Sequence, residues 1–204
     1  MPQAWTAVLY VVVLLAAYAG VQVQDAAPSP RRPVATVAAL LVVGLPTALQ
    51  LTVVPSLLGH LQRDWTAIGS GQLWRLVTSL VVQDGGIAGT VFNLVSLAVL
   101  GTTAETEWGA RRWLVVALGA GIGAQLWAAV VQPVGAGNSV VVFGLAGSLA
   151  VRSLHRGDGV QRLLGAASLL AAAVLLVTRD LHGGAVAIGS ALAALLLRRG
   201  GPPE

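Results

Sequence analysis

Along the chain, apolar residues gather into runs close to membrane-spanning length, broken by short clusters rich in charge, Pro and Gly at 24–33, 61–75, 105–112, 132–137, 152–162 and 178–180. The hydrocarbon core of a bilayer, about 30 Å thick, takes roughly 17–25 apolar residues per helix. On that spacing the pattern predicts seven spanning helices, at approximately 4–23, 34–56, 86–104, 113–132, 136–151, 163–178 and 182–197. The fold class expected is all-α, a polytopic membrane helix bundle.

Composition removes the alternatives. Of 204 residues, 56% are hydrophobic and 10% charged, where soluble domains carry about 45–50% and about 25%. The 25 Gly and 9 Pro interrupt apolar runs without forming low-complexity tracts, which excludes disorder and fibrous classes. Cysteine is absent, so disulfide scaffolds, thiolate metal sites and Cys nucleophiles are excluded. Separately, no metal or cofactor is expected. All 12 basic residues are Arg. Despite a pI near 11.0 they are scattered in ones and twos between apolar runs, which argues against a nucleic-acid partner and for a role in topology.

If odd-numbered connections face the cytoplasm, Arg31, Arg32, Arg111, Arg112, Arg152, Arg156, Arg162, Arg198 and Arg199 lie inside and Arg63, Arg75 and Arg179 outside, nine against three. Ala17-Tyr18-Ala19 has the look of a signal-peptide cleavage site. Cleavage there would reverse the Arg asymmetry, so the expectation is an uncleaved chain with its N-terminus outside and its C-terminus cytoplasmic. Trp5, Trp65 and Trp74 then belong near the outer interface and Trp108 and Trp113 near the inner one.

Polar side chains within spanning segments are costly and mark candidate sites. Asn93, Ser139 and His182 stand out. Counted from Glu105, Arg152 and Arg198 at about 1.5 Å per residue, they lie roughly 18, 20 and 24 Å up their helices, in one layer nearer the outer face. Each also has a plain structural reading: Ser139 as a helix N-cap after the Pro/Gly-broken stretch 132–138, His182 at the interface, Asn93 as interhelical glue. A hydroxyl and an imidazole at one depth allow a nucleophile and base pair. His60 and His155 fall in loops. Gly144 and Gly147 after Ser139, and Ala185 and Gly189 after His182, allow two helices to approach closely. Phe143, one turn below Ser139, is placed to support the imidazole.

Taken in order, these residues resemble the rhomboid family of intramembrane serine proteases, from about Gly71 to Gly189. Trp74-Arg75 looks like the family's Trp-Arg element. Phe92-Asn93 follows, then the Gly101, Glu105 and Gly109 spacing. Gly137-Asn138-Ser139 with Phe143, Gly144 and Gly147 resembles the region of the family's serine, and His182 with Gly189 that of its histidine. The resemblance implies a rhomboid-like six-helix core at 31–199, an extra N-terminal transmembrane helix within 1–30, and a short cytoplasmic tail at 200–204. It implies a Ser139–His182 dyad with no third member, and an oxyanion held by the Ser139 N–H and the Asn93 side chain. Asp180 is expected to be a helix-start acid only.

Two positions depart from the family pattern. Val140 stands where the serine motif ends in Gly, and Gly89 stands where a His commonly precedes the Asn by four residues. The function implied is a serine endopeptidase cutting a transmembrane protein substrate near the outer leaflet of a bacterial cell membrane, with lipid as its other partner. The alternatives are a catalytically silent rhomboid-like protein that binds transmembrane segments, and a small transporter.

Overall fold

A computed structural model describes residues 3–22 and 32–199 of the chain. The 30/31 boundary expected between extra helix and core, and the 200–204 tail, lie outside the described residues. In chain order the elements are α1 (Gln3–Gln22), α2 (Val34–Thr52), α3 (Leu57–Leu61), β1 (Arg63–Asp64), α4 (Trp65–Gly69), α5 (Arg75–Thr78), α6 (Gly86–Trp108), α7 (Ala110–Val131), β2 (Val134–Gly135), α8 (Ser139–Arg156), α9 (Gly159–Val177) and α10 (Leu181–Arg199). The long helices α1, α2 and α6–α10 correspond to the seven apolar runs.

Six of these helices are long and apolar enough to cross a membrane. The exception is α8, and its place in the bundle explains why. It packs against α1, α6, α7, α9 and α10, with Val142, Phe143, Leu145, Ala146, Leu149 and Ala150 buried. A helix surrounded by protein needs no lipid-facing surface, so it tolerates Ser148 and Ser153, whose hydroxyls bond back to Leu145 and Leu149 carbonyls. The peripheral helices carry the lipid-facing apolar side chains, such as Val8, Leu45, Ile87, Leu163 and Val177, all well exposed on the isolated chain.

Several helices run past the charges expected to end them, because those charges find partners. Helix α6 continues to Trp108: Glu105 is buried and accepts the N–H groups of Ala35 (2.8 Å) and Thr36 (2.7 Å), and the Thr36 hydroxyl (2.8 Å). This carboxylate satisfies donors that the start of α2 leaves unpaired. Glu107 pairs with Arg152 near the end of α8, and the Arg152 guanidinium also lies 5.9 Å from the Trp108 ring centroid. Gly109, at φ 74°, makes the turn into α7. An Asp158–Gln161 capping box starts α9. Trp108 and Trp113 are buried rather than belted at an interface, and the Trp113 indole donates to the Gly101 carbonyl at 3.0 Å.

The stretch between α2 and α6 is an ordered cap, not a plain connection. β1 and β2 pair antiparallel, Arg63 with Gly135 and Asp64 with Val134, tying this stretch to the segment before α8. Asp64 N-caps α4. Buried Arg75 donates to the carbonyls of Gly59 and Gln62 and to the Gln72 side chain, which gives the Trp-Arg element its structural role. The ends of α2, α7 and α9 and the starts of α6, α8 and α10 all lie at this end of the bundle. The Glu107–Arg152 pair and the Asp158 cap lie at the other.

Candidate active site

Ser139 is the first helical residue of α8, following the glycine-broken segment 135–137, and the cap position belongs to Asn138, whose side chain makes no cap bond. The Ser139 hydroxyl is therefore not spent on its own helix. Its Oγ lies 2.9 Å from Nε2 of His182, in the first turn of α10. Gly137, at φ 140°, adopts a conformation that favours glycine. A Cβ there would lie 3.3 Å from Gln83 Oε1, 3.5 Å from Asn93 Nδ2 and 3.7 Å from Ser139 Oγ. The glycine leaves a small space rimmed by the Gln83 amide oxygen, the Asn93 amide nitrogen and the Ser139 hydroxyl.

The helices can bring these groups together because their contact faces lack bulk. A Cβ on Gly147 would lie 2.5 Å from the Val186 carbonyl oxygen, and one on Gly189 would lie 2.0 Å from that of Gly144. Ala185 is fully buried in the same contact. The Phe143 ring stands 4.5 Å from the His182 ring, centroid to centroid, tilted by 49°.

Asn93 joins the site through a polar network. Its Nδ2 donates to Gln83 Oε1 (2.8 Å), and Gln83 Nε2 donates to Asn138 Oδ1 (2.8 Å). Gln50 from α2 exchanges two bonds with the Gln83 backbone, accepting from its N–H at 2.8 Å and donating to its carbonyl at 2.7 Å. Gln50, Gln83 and Asn138 are all buried, so each amide needs partners and their bonds fix the spacing of α2, α6 and α8. None of these three drew attention in the sequence as a site residue. A lone Gln in the apolar run of α2 was the available signal.

Nearby, Arg63 is 2% exposed and donates to the Gln125 side chain and the Gln132 carbonyl, bracing β1 against the end of α7. Burial lowers the Arg63 pKa, with Asp84 pulling the other way.

Asp180 makes the helix-start contact its position suggested and two further contacts besides. It accepts the His182 backbone N–H through Oδ1 at 2.8 Å, as a helix-start acid does. The same oxygen lies 2.9 Å from His182 Nδ1. The Tyr10 hydroxyl, from α1, donates to its Oδ2 at 2.7 Å. His60 and His155 are exposed and take no part. Among the described residues no group of three or more His, Cys, Asp and Glu is placed to hold a metal.

Over 104 residues the chain is 34% identical to the rhomboid protease GluP of Bacillus subtilis (strain 168), an alignment covering 50% of this chain and 20% of that relative. The chain thus spans about a fifth of that relative's length. The Rhomboid domain profile matches residues 70–197, which hold Arg75, Asn93, Glu105, Ser139 and His182. With well over half of its length inside that match, the chain belongs to the rhomboid family.

Proposed function

We propose that the protein is an intramembrane serine endopeptidase acting on a transmembrane segment of another membrane protein. The observation that carries this reading is the 2.9 Å approach of Ser139 Oγ to His182 Nε2, made by two helices packed glycine to glycine. In the mechanism, Ser139 Oγ attacks the scissile carbonyl and His182 accepts its proton, later passing it to the leaving amine. Ser139 is the first residue of α8, so its N–H has no intrahelical acceptor and is available to the oxyanion. One Asn93 N–H is bonded to Gln83, and an amide nitrogen has a second to give.

Ser139 and His182 are each partly exposed, as water-dependent chemistry requires. The preferred substrates are helices that unwind locally, because a stable helix keeps its carbonyls in hydrogen bonds. The Arg asymmetry favours an N-terminus outside, a C-terminus in the cytoplasm and a site toward the outer face of a bacterial cell membrane. Val140, in place of the motif's Gly, and Gly89, lacking the imidazole common at that place, favour one rival, a silent protein that binds transmembrane segments.

Labelling with a serine-reactive phosphonate, compared with Ser139→Ala, separates the two. Labelling and cleavage of a transmembrane peptide that both vanish in Ser139→Ala support the protease. An unlabelled, folded protein that still binds the peptide supports the rival.

A further inference from the structure

The imidazole of His182 has two nitrogens, and the second is held as closely as the first. Nε2 faces Ser139 Oγ, while Nδ1 faces Asp180 Oδ1, both at 2.9 Å. A carboxylate only accepts, so this contact places the proton on Nδ1 and leaves the Nε2 lone pair toward the Ser139 hydroxyl. Were Asp180 no more than a helix-start acid, its second oxygen would need no protein partner. Instead Oδ2 receives the Tyr10 hydroxyl at 2.7 Å.

Tyr10 also stands edge-on to two rings, 4.5 Å from the His182 centroid and 5.1 Å from that of Phe143. The Trp127 indole, from α7, donates to the Asp180 carbonyl at 3.2 Å. Asp180 is thus braced from α1, α7 and α10 together. Tyr10 lies outside the residues 70–197 matched to the family domain, so a helix beyond that match reaches the site.

We propose that Asp180 and Tyr10 are positioning residues for His182, with Asp180 holding the imidazole in its reactive tautomer and Tyr10, from the N-terminal helix, fixing the Asp180 carboxylate. The proposal rests on the protease reading. In the attack step the Ser139 Oγ–H bond breaks and its proton moves to Nε2, while Oγ bonds to the scissile carbon and the carbonyl π pair moves onto its oxygen. The Nδ1 proton stays on the ring and Asp180 stays ionised, now beside an imidazolium. When the intermediate collapses, the carbonyl re-forms, the C–N bond breaks and the Nε2 proton leaves with the amine; water then adds to the Ser139 ester by the same route and returns the hydroxyl. The groups facing the imidazole are Tyr10 from α1, Ser139 and Phe143 from α8, and Asp180 before α10.

The test uses the full chain reconstituted in lipid, with a transmembrane peptide substrate and the variants Asp180→Asn, Tyr10→Phe and the pair together. Asn keeps an oxygen to start the helix and accept from Nδ1, but removes the charge. Asp180→Asn should lower kcat on the order of 10²-fold with KM little changed, since general-base efficiency is lost in the transition state. The acid limb of its kcat/KM profile should move to lower pH, because the anion that favours imidazolium is gone.

Tyr10→Phe keeps the ring and should cost about threefold to tenfold in kcat; because it acts through the carboxylate, the double variant should be no slower than Asp180→Asn. With only three His in the chain, 15N NMR can read the His182 tautomer directly, and Asp180→Asn should weaken its Nδ1–H preference. Wild-type kcat, acid limb and tautomer in Asp180→Asn overturn the proposal, as does full additivity for Tyr10. If Asp180→Asn does not fold, Tyr10→Phe with wild-type kcat and tautomer overturns it. A wild type with no Ser139-dependent turnover and no phosphonate labelling overturns the protease reading itself, while the NMR arm still reads the Asp180–His182 bond.

Discussion

Gly189 of α10 lies so close to Gly144 of α8 that a Cβ built on it would sit 2.0 Å from the Gly144 carbonyl oxygen. The atom it would meet is backbone, so the contact cannot be relieved by turning a side chain. The two helices that carry Ser139 and His182 are set apart by this contact and by Gly147 against Val186.

Gly189→Ala should therefore damage both stability and chemistry. Overpacking of this kind costs about 1–3 kcal/mol, and a shift of about 1 Å at a reacting group can cost about 10²-fold in rate. Gly44→Ala in α2 is the control, since nothing lies within 4 Å of its added Cβ. It should stabilise the helix by up to about 1 kcal/mol. Thermal unfolding in detergent and peptide cleavage measure the two effects, and equal behaviour of the two variants would refute the packing argument.

Glu105→Gln replaces an acceptor of three bonds, two of them from backbone N–H groups at the start of α2. The new amide turns a donor toward one of those N–H groups inside a buried site. Bonds to charged groups are worth about 1.5–3 kcal/mol, so a loss near that size is expected in denaturant unfolding. Thr36→Val, which removes one hydroxyl bond and leaves both N–H bonds, should cost less.

What the sequence revealed and concealed follows from the distance over which each feature acts. Helix positions were readable because a bilayer imposes a length on every apolar run. Ser139, Asn93 and His182 were readable because each is a polar group inside such a run. The Gln50–Gln83–Asn138 network and the Tyr10–Asp180 bond were not. They join residues up to 170 positions apart, and nothing local marks their ends. The cap at 57–78 was hidden for a related reason: its order depends on Arg75 bonding the carbonyls of Gly59 and Gln62, a contact that exists only after folding.

Asp180 should make the protein acid-labile in a defined way. Burial pushes its carboxyl up, but hydrogen bonds from His182 and Tyr10 outweigh burial and leave its pKa below the ordinary value. A depressed carboxyl contributes stability that is complete above its unfolded pKa and is lost as pH falls through the folded one. The melting temperature of wild type should exceed that of Asp180→Asn near neutrality, and the gap should close below about pH 4. A gap that persists unchanged to lower pH would mean that the charge contributes nothing.

The space left by Gly137 is rimmed by Gln83 Oε1, Asn93 Nδ2 and Ser139 Oγ, and the Asn93 amide is the donor among them for an oxygen developing charge once Ser139 has given up its proton. Asn93→Ala should lower kcat by about 10²–10³-fold, the usual loss for one donor, while leaving phosphonate labelling dependent on Ser139. Asn93→Asp should be slower still, because it sets a negative group against a developing negative charge.

Gly89, one turn before Asn93 on the same helical face, has nothing within 4 Å of an added Cβ. A histidine there has room, and its N–H should strengthen in the transition state more than in the ground state, so the gain belongs to kcat. Gly89→His should raise turnover about tenfold, short of a native donor because an inserted side chain is seldom placed within about 0.5 Å. If Asn93→Ala and Asn93→Asp cleave at the same rate as wild type, Asn93 belongs to the Gln83 network alone and the oxyanion must be held by the Ser139 N–H without it.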